Sequence, residues 1–261
     1  MAAALAATAA ARGVFGARLH YAAEVGSTND LAAAAADRGE REGTTFVAGA
    51  QTAGRGRLGR TWFSPPGAGL YLSTIVRRAS VVPWITLAGG VAVADGIRAA
   101  TGLPLQIKWP NDIVAVGGTG FRARRKIAGI LAEASSGPDG VNHVVLGIGI
   151  NLMPAAFPPE LADRASAIET ELGRPVEAGA VLAQVLVTLN RVLNDLGTTG
   201  PPALVARWLE LSPSVYGAPI EWDAAGAVTS GTTAGLAEDG ALLARTPAGV
   251  QRIVSGEVRW L

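Results

Sequence analysis

The sequence predicts an α+β fold, a mixed or antiparallel sheet with helices, followed by a small β-barrel at the C-terminus. Three observations carry this. Between residues 105 and 152 the β-branched and alternating segments follow one another at hairpin spacing, which points away from a βαβ succession. Helical spacing is confined to a few segments, chiefly 85–102, 177–196 and 202–211. After Ser212-Pro213 the pattern changes to short strands broken by turns (APIEW, AVTSGTTAGLA, ALLAR, VQRIVSGEVRW), roughly 45 residues that suit a small barrel. The expected division is therefore 1–212 and 213–261.

Taken in order, the opening MAAALAATAAARGVFGARLHY has no basic residues ahead of its alanines, so a flexible or marginally helical start is expected in place of a signal peptide. Ser27 to Asp30 reads S-x-x-D before LAAAAADRG, a capping box that opens a short helix ending near Gly39. TTFVAGAQ (44–51) has the β-branched and aromatic content of a strand, and a Gly-rich loop runs from Thr52 to Gly69. LYLSTIVRR (70–78) alternates as a strand does, and ITLAGGVAVADGIRAATG (85–102) has helical spacing with a Gly stop. LQIKW (105–109) and DIVAV (112–116) face each other across the turn Pro110-Asn111, followed by KIAGILAEA (126–134) and HVVLGIGINL (143–152). Helices resume over 177–196 and over 202–211, the latter started by Pro201-Pro202.

Composition removes several classes of chemistry. The 261 residues contain no Cys, so disulfides, thiolate catalysis and Cys-based zinc sites are excluded, and only His20 and His143 remain for any imidazole role. With 49% hydrophobic residues the chain is able to bury a sizeable core. The longest apolar stretch, Val81 to Ala94, is interrupted by Pro83 and closed by Asp95. That is short of the roughly 20 residues a membrane span needs, so no transmembrane helix and a cytoplasmic protein are expected.

The net charge of +1 conceals an uneven distribution. Residues 43–132 hold eleven Lys/Arg and two acids, Asp95 and Asp112, so this block is net +9 and the remaining 171 residues are net −8. Of the 22 basic residues 20 are Arg; the two lysines, Lys108 and Lys126, both lie in the block.

Within it, residues 54–61 (GRGRLGRT) contain G-x-G-x-x-G and also fit G-x-x-x-x-G-K-[ST] with Arg60 in place of Lys. Neither assignment survives its context. The dinucleotide fingerprint needs an acid about 20 residues on, and no Asp or Glu occurs between Gly43 and Ala94. A phosphate-binding loop needs a helix straight after, where TWFSPPGAG supplies two prolines and two glycines. What remains is a loop whose glycines permit close approach of a ligand and whose Arg55, Arg57 and Arg60 offer fork donors to phosphate or carboxylate oxygens, with Trp62 as a planar stacking face. An Arg/Gly loop that touches nucleic acid, or a solvated turn, is the competing reading.

In QIKW, alternation puts Lys108 on the face opposite Ile107 and Trp109; an edge-strand gatekeeper lysine is the alternative to a functional one. In LGIGINL (146–152) the even positions are large and apolar while the odd ones are Gly147, Gly149 and Asn151. One face builds core. The other is bare backbone ending in an amide, which suits a flat ligand lying on the sheet or relieves crowding under a neighbour. Gly129 in KIAGILAE offers the same choice.

Ser27-Thr28-Asn29, Gln51 with GRGRLGRTW, KWPND, KIAGILAE and GIGINL, with a C-terminal segment ending SGEVRWL, occur in the order found in the biotin-protein ligases, and the chain resembles that family. The resemblance spans 27–152 plus the tail. It implies a catalytic domain similar to class II aminoacyl-tRNA synthetases, an SH3-like C-terminal domain, and a two-step reaction. Biotin and ATP, with Mg²⁺, would give biotinyl-5′-adenylate and pyrophosphate; the biotinyl group would then pass to a lysine of the biotin carboxyl carrier domain of an acyl-CoA carboxylase.

By the same resemblance Ser27, Thr28, Asn29 and Gln51 would surround the ureido head of biotin, and Gly129 and Gly147 would lie beneath its bicyclic ring. Arg55, Gly56 and Arg57 would belong to the loop that closes on the adenylate, and Lys108 would meet the biotin carboxylate and the α-phosphate. Arg57, Arg60, Trp62 and Asn151 would serve the nucleotide. Lys126 falls in a family motif without an assigned role. Only 26 residues precede Ser27, too few for the helix-turn-helix domain that regulatory members carry, so no DNA partner and no membrane partner are expected. Leu58 stands where a second basic residue is common. A lipoate-type acyl-carrier ligase on a similar fold and a non-enzymatic nucleic-acid-binding protein are the alternatives.

Overall fold

The computed structural model describes residues 1–116, 124–138, 140–154, 157–224 and 226–261. Arg122 of the basic block lies outside them. The N-terminal alanines form two short helices, α1 (Ala2–Ala7) and α2 (Ala9–Arg12). Arg12 is buried, and its guanidinium donates to the carbonyls of Phe15 at 2.6 Å and Leu5 at 2.8 Å, closing the turn that follows.

Among the described residues seven strands build the main sheet: β1 (Leu19–Ala22), β2 (Thr45–Ala48), β3 (Gly69–Val76), β4 (Leu105–Lys108), β5 (Asp112–Val116), β6 (Arg124–Gly137) and β7 (Gly140–Asn151). Their order is β1-β2-β3-β7-β6-β5-β4, antiparallel throughout except for the β1/β2 pair. This is the mixed, hairpin-linked sheet that the strand spacing predicts, with β1 added at its edge.

The helices divide between the two faces. α3 (Thr28–Asp37) lies on one face, where Ala32, Ala35 and Ala36 pack on Ile75 and Val145. Its start departs from the expected capping box: Ser27 occupies the N-cap position but makes no side-chain cap bond, and Asp30, the other half of the box, pairs with Arg55. On the opposite face lie α4 (Ile85–Thr101), α7 (Ala178–Thr199) and α8 (Pro201–Leu211), with short helices α5 (Pro159–Ala162) and α6 (Ile168–Leu172) in the connection after β7. α1 and α2 pack on α7, which supplies the tertiary contact that short alanine helices need in water.

The core is continuous from Ile107, Ile130, Leu146 and Ile150 of the sheet through Val91 and Ile97 of α4 to Leu182 and Leu189 of α7. Each such side chain contributes about 1.5–3 kcal/mol on burial. Residues Ala79–Thr101 form one helical run that is long and apolar enough to cross a membrane, longer than the interrupted stretch suggests, but 67% of an apolar 18-residue portion of it is buried inside the protein. Its apolar side chains are taken up by this core.

After a short 3₁₀ turn at Pro213–Val215, the tail forms β8 (Tyr216–Ala224), β9 (Ala227–Leu236), β10 (Leu242–Thr246), β11 (Gly249–Ile253) and β12 (Val258–Trp260). They make an antiparallel sheet in the order β11-β10-β9-β8-β12. Trp222, Leu242, Ile253 and Val258 join the same core cluster as the main sheet, and Trp109 Nε1 donates to Gly240 O at 3.1 Å. The tail is thereby fixed beside the KWPND hairpin, and its last strand reaches the site described next.

Candidate active site

The part of the α3-bearing face that α3 leaves uncovered is a cavity of about 690 Å³. Its lining includes Ser27, Thr28, Asn29, Gln51, Arg55, Gly56, Arg57, Arg60, Trp62, Lys108, Gly129, Gly147 and Asn151, so one space collects every residue singled out from the sequence. Gly256 to Leu261 of the tail complete the wall.

One end is polar and uncharged. At the α3 start, Thr28 N and Thr28 Oγ1 donate to Gln51 Oε1 at 2.9 and 3.1 Å, and Gln51 Nε2 donates to Ser64 Oγ at 3.0 Å. Ser73 Oγ lies 2.7 Å from Thr28 Oγ1 and also reaches Asn29 Oδ1. Ser27, Thr28, Asn29 and Ser73 are all buried. A cluster of buried, neutral donors and acceptors suits a neutral polar group able to do both.

The other end is cationic. Ile107 and Trp109 are buried at 0% and 4% exposure, and Lys108 between them turns to the cavity, as alternation predicts. Burial lowers the Lys108 pKa from its ordinary value, and the opposing pull comes chiefly from Asp112, its register partner across the hairpin. Yet the Asp112 carboxylate is bound by the other lysine: Lys126 Nζ stands 2.6 Å from Asp112 Oδ1. Burial likewise lowers the Arg57 pKa, with Asp112 opposing, and Arg57 Nη1 donates to Asn111 Oδ1 at 3.3 Å. Among the described residues Lys108, Lys126 and Arg57 thus gather about Asp112, with Glu257 a further carboxylate toward Lys108, and positive charge predominates in a partly desolvated space where an incoming anion is strongly stabilised.

The floor joins the ends. Gly129 and Gly149 are directly opposed on β6 and β7, and the Trp62 indole lies against them: a Cβ at Gly149 would stand 2.4 Å from the ring. Lys126 Nζ is 5.0 Å from the ring centroid, a cation–π contact. Gly147 is covered by a different side chain, since a Cβ there would lie 2.3 Å from Asn29 Oδ1. Asn151 Nδ2 is committed to the backbone carbonyls of Lys126 at 3.2 Å and Ser166 at 3.0 Å, so its Oδ1 is what it offers the cavity.

The Gly/Arg loop crosses the mouth. It contains one 3₁₀ turn, Arg57–Gly59, with Leu58 in the left-handed region at φ 57°, and no helix follows the glycines, in keeping with the rejection of both nucleotide motifs. Arg55 ion-pairs with Asp30 and, at 2.8 Å, with Glu133; Arg60 pairs with Glu257 from the tail.

The sequence motifs leave Lys126 without a role, place Gly149 on the glycine face without a part of its own, and single out none of Asn111, Asp112, Glu133 and Glu257. Asp112 and Lys126 stand in motifs already quoted, and the scarcity of lysine marked Lys126. Nothing local marks Glu133 or Glu257, whose partners are 78 and 197 residues away.

Residues 24–151 match the model of the biotin/lipoate A/B protein ligase family, and residues 223–259 that of the biotin protein ligase C-terminal domain. Over 250 residues the chain is 33% identical to the bifunctional ligase/repressor BirA of Bacillus subtilis (strain 168), an alignment covering 94% of this chain and 74% of that protein. The chain belongs to the biotin protein ligase family. It is also 34% identical over 223 residues to the biotin–[acetyl-CoA-carboxylase] ligase of Paracoccus denitrificans, covering 80% of this chain and 86% of that one. Among solved structures, the biotin protein ligase of Aquifex aeolicus in complex with biotin and ATP superposes with a TM-score of 0.79 at 27% identity, covering 94% of this chain and 99% of that chain. The family match extends to the tail, and with it the α+β architecture and the C-terminal antiparallel domain follow the family pattern.

Proposed function

We propose that this chain activates biotin with ATP to biotinyl-5′-adenylate and transfers the biotinyl group to a lysine of the biotin carboxyl carrier domain of an acyl-CoA carboxylase. The observation that carries the reading is the layout of the cavity, with a neutral donor–acceptor cluster at one end, a cation excess at the other and, between them, a glycine strip against which Trp62 and Asn29 lie. A ureido group needs both donors and acceptors, which Ser27, Thr28, Asn29 and Gln51 supply. A dithiolane needs neither, which weighs against lipoate. The C-terminal domain match and the names of the relatives point the same way.

Attack of a carboxylate on the α-phosphate brings like charges together. Lys108, Lys126 and Arg57 oppose that repulsion, and they do so most strongly in the transition state, where charge accumulates on the phosphate. Positioning does much of the rest, because two bound reactants held on one floor need no further encounter. Arg57 presents a planar fork; the lysines are compact charges that follow the oxygens as geometry changes. Asn151 Oδ1 is an acceptor fit for an exocyclic amino group, and the Trp62 ring is a face on which a base stacks. No side chain need act as covalent nucleophile.

Among the described residues no group of three or more metal-binding side chains gathers, and Asp112 is a carboxylate on the cavity wall already paired with Lys126. That donor set fits a cation that arrives on the ATP phosphates and takes at most a carboxylate and waters from its surroundings, as Mg²⁺ commonly does. Bound there, Mg²⁺ would neutralise phosphate charge. A mixed anhydride hydrolyses when wet, so the 52–68 loop over the cavity would serve to exclude water.

The test is pyrophosphate release from ATP and Mg²⁺ with either biotin or lipoate. Release that depends on biotin is expected; release with lipoate alone, or none, would overturn the reading.

A further inference from the structure

Glu133 lies on β6 beyond the glycine floor and is assigned to neither substrate, yet it touches both the polar end and the loop. Its Oε2 accepts from Asn29 Nδ2 at 2.6 Å and from Arg55 Nη2 at 2.8 Å. Asn29 reaches it only because Gly147 has no side chain in the way. The next residue in the chain, Asp30, takes the other terminal nitrogen of Arg55. The guanidinium is therefore strapped between α3 and β6, and its pKa is raised, first by the hydrogen bond to Glu133.

We propose that Glu133 is a positioning residue that tethers the Gly/Arg loop to the polar end of the cavity, through Arg55 on one side and Asn29 on the other. The inference deepens the proposed function and rests on it for what fills the polar end. Arg55 and Glu133 are 39% and 41% exposed, so water and salt weaken their pair to an adjustable tether. One carboxylate oxygen now serves two donors. A ureido carbonyl that accepts from Asn29 Nδ2 withdraws one of them and leaves that oxygen to Arg55. Occupancy of the polar end then tightens the hold on the loop, so that biotin prepares the mouth of the site for the adenylate.

The loop carries its own reporter, because Arg55, Arg57 and Arg60 are trypsin sites. Cleavage of the intact chain at Arg57 and Arg60 would be followed with and without biotin, alongside thermal melting to establish folding. Without ligand, Glu133→Gln should be cut about two- to fivefold faster than wild type, the range open to an exposed ion pair, and the difference should shrink in high salt. Arg55→Ala breaks this contact together with the Asp30 pair and should accelerate cleavage at least as much; the double variant should be no faster than Arg55→Ala alone. Glu133→Asp should recover part of the protection. Biotin should protect wild type more than Glu133→Gln, and in that variant the KM for biotin should rise by a larger factor than kcat falls. Wild-type cleavage rates in both single variants, or additive effects in the double variant, would overturn the tether. The ligand-free arm does not depend on the proposed activity: if wild type releases no pyrophosphate with biotin, the functional reading fails while the cleavage comparison still decides the tether.

Discussion

The two faces of the β6–β7 hairpin are built from the same residues in sequence and do opposite work. On the face toward α4, Ile130, Leu146, Ile148 and Ile150 are buried in the main core. On the other, Gly129, Gly147, Gly149 and Asn151 border the cavity. Alternation along a strand keeps these sets apart, so each face can be changed with little effect on the other. The core face sets stability, and the bare face sets what lies on the sheet.

The largest expected effect is on the bare side. Lys108→Ala should lower adenylate formation about 100-fold or more, the scale of losing a transition-state charge contact, with the melting temperature nearly unchanged. Lys126→Ala should fall in the same range, since it also strips Asp112 of its partner. Single-turnover formation of biotinyl adenylate measures both, and a wild-type rate in either variant would remove that lysine from the centre. On the core side, Leu146→Ala should cost about 2–5 kcal/mol in denaturant unfolding while activity measured well below the melting temperature stays within a few-fold of wild type. A variant that is stable but inactive would show that the two faces are not independent.

Gly149→Ala sharpens the contrast. Its Cβ would displace the Trp62 indole, so the KM for ATP should rise about tenfold, equivalent to about 1.4 kcal/mol, with a smaller change in stability. Unchanged kinetics would mean that the ring can shift without consequence. Smallest is Glu257→Gln, which removes a carboxylate that pairs with Arg60 and faces Lys108. The KM for ATP should fall about two- to threefold at low ionic strength and converge with wild type in high salt. A rise would instead make Glu257 a support of the site.

These contrasts also explain how much could be read from the sequence. Strands β3 to β7 and helices α4, α7 and α8 declare themselves through alternation, helical spacing and Gly or Pro stops, and the cavity residues lie in short contiguous motifs. β1 does not: its four residues, Leu19–Ala22, are held by parallel pairing with β2 and by stacking of His20 on Phe46 at 4.9 Å, both long-range. α1 and α2 are stabilised by α7, some 170 residues away. The box pattern marks the helix start correctly but not its bonds, because Asp30 is drawn to Arg55 of the distant loop. Alternation shows Asn151 as the amide that ends the glycine face, but not that two backbone carbonyls claim its donors. Carboxylates that restrain the loop arginines, Glu133 and Glu257, become visible only when distant strands meet.

The central claim is that one cavity activates biotin and hands it on. Its most direct test is mass spectrometry of a biotin carboxyl carrier domain incubated with the intact chain, Mg²⁺, ATP and either biotin or lipoate. The account predicts a single biotinyl addition to one carrier lysine, absent without ATP and not replaced by a lipoyl addition. No addition, or a lipoyl addition in its place, would contradict it.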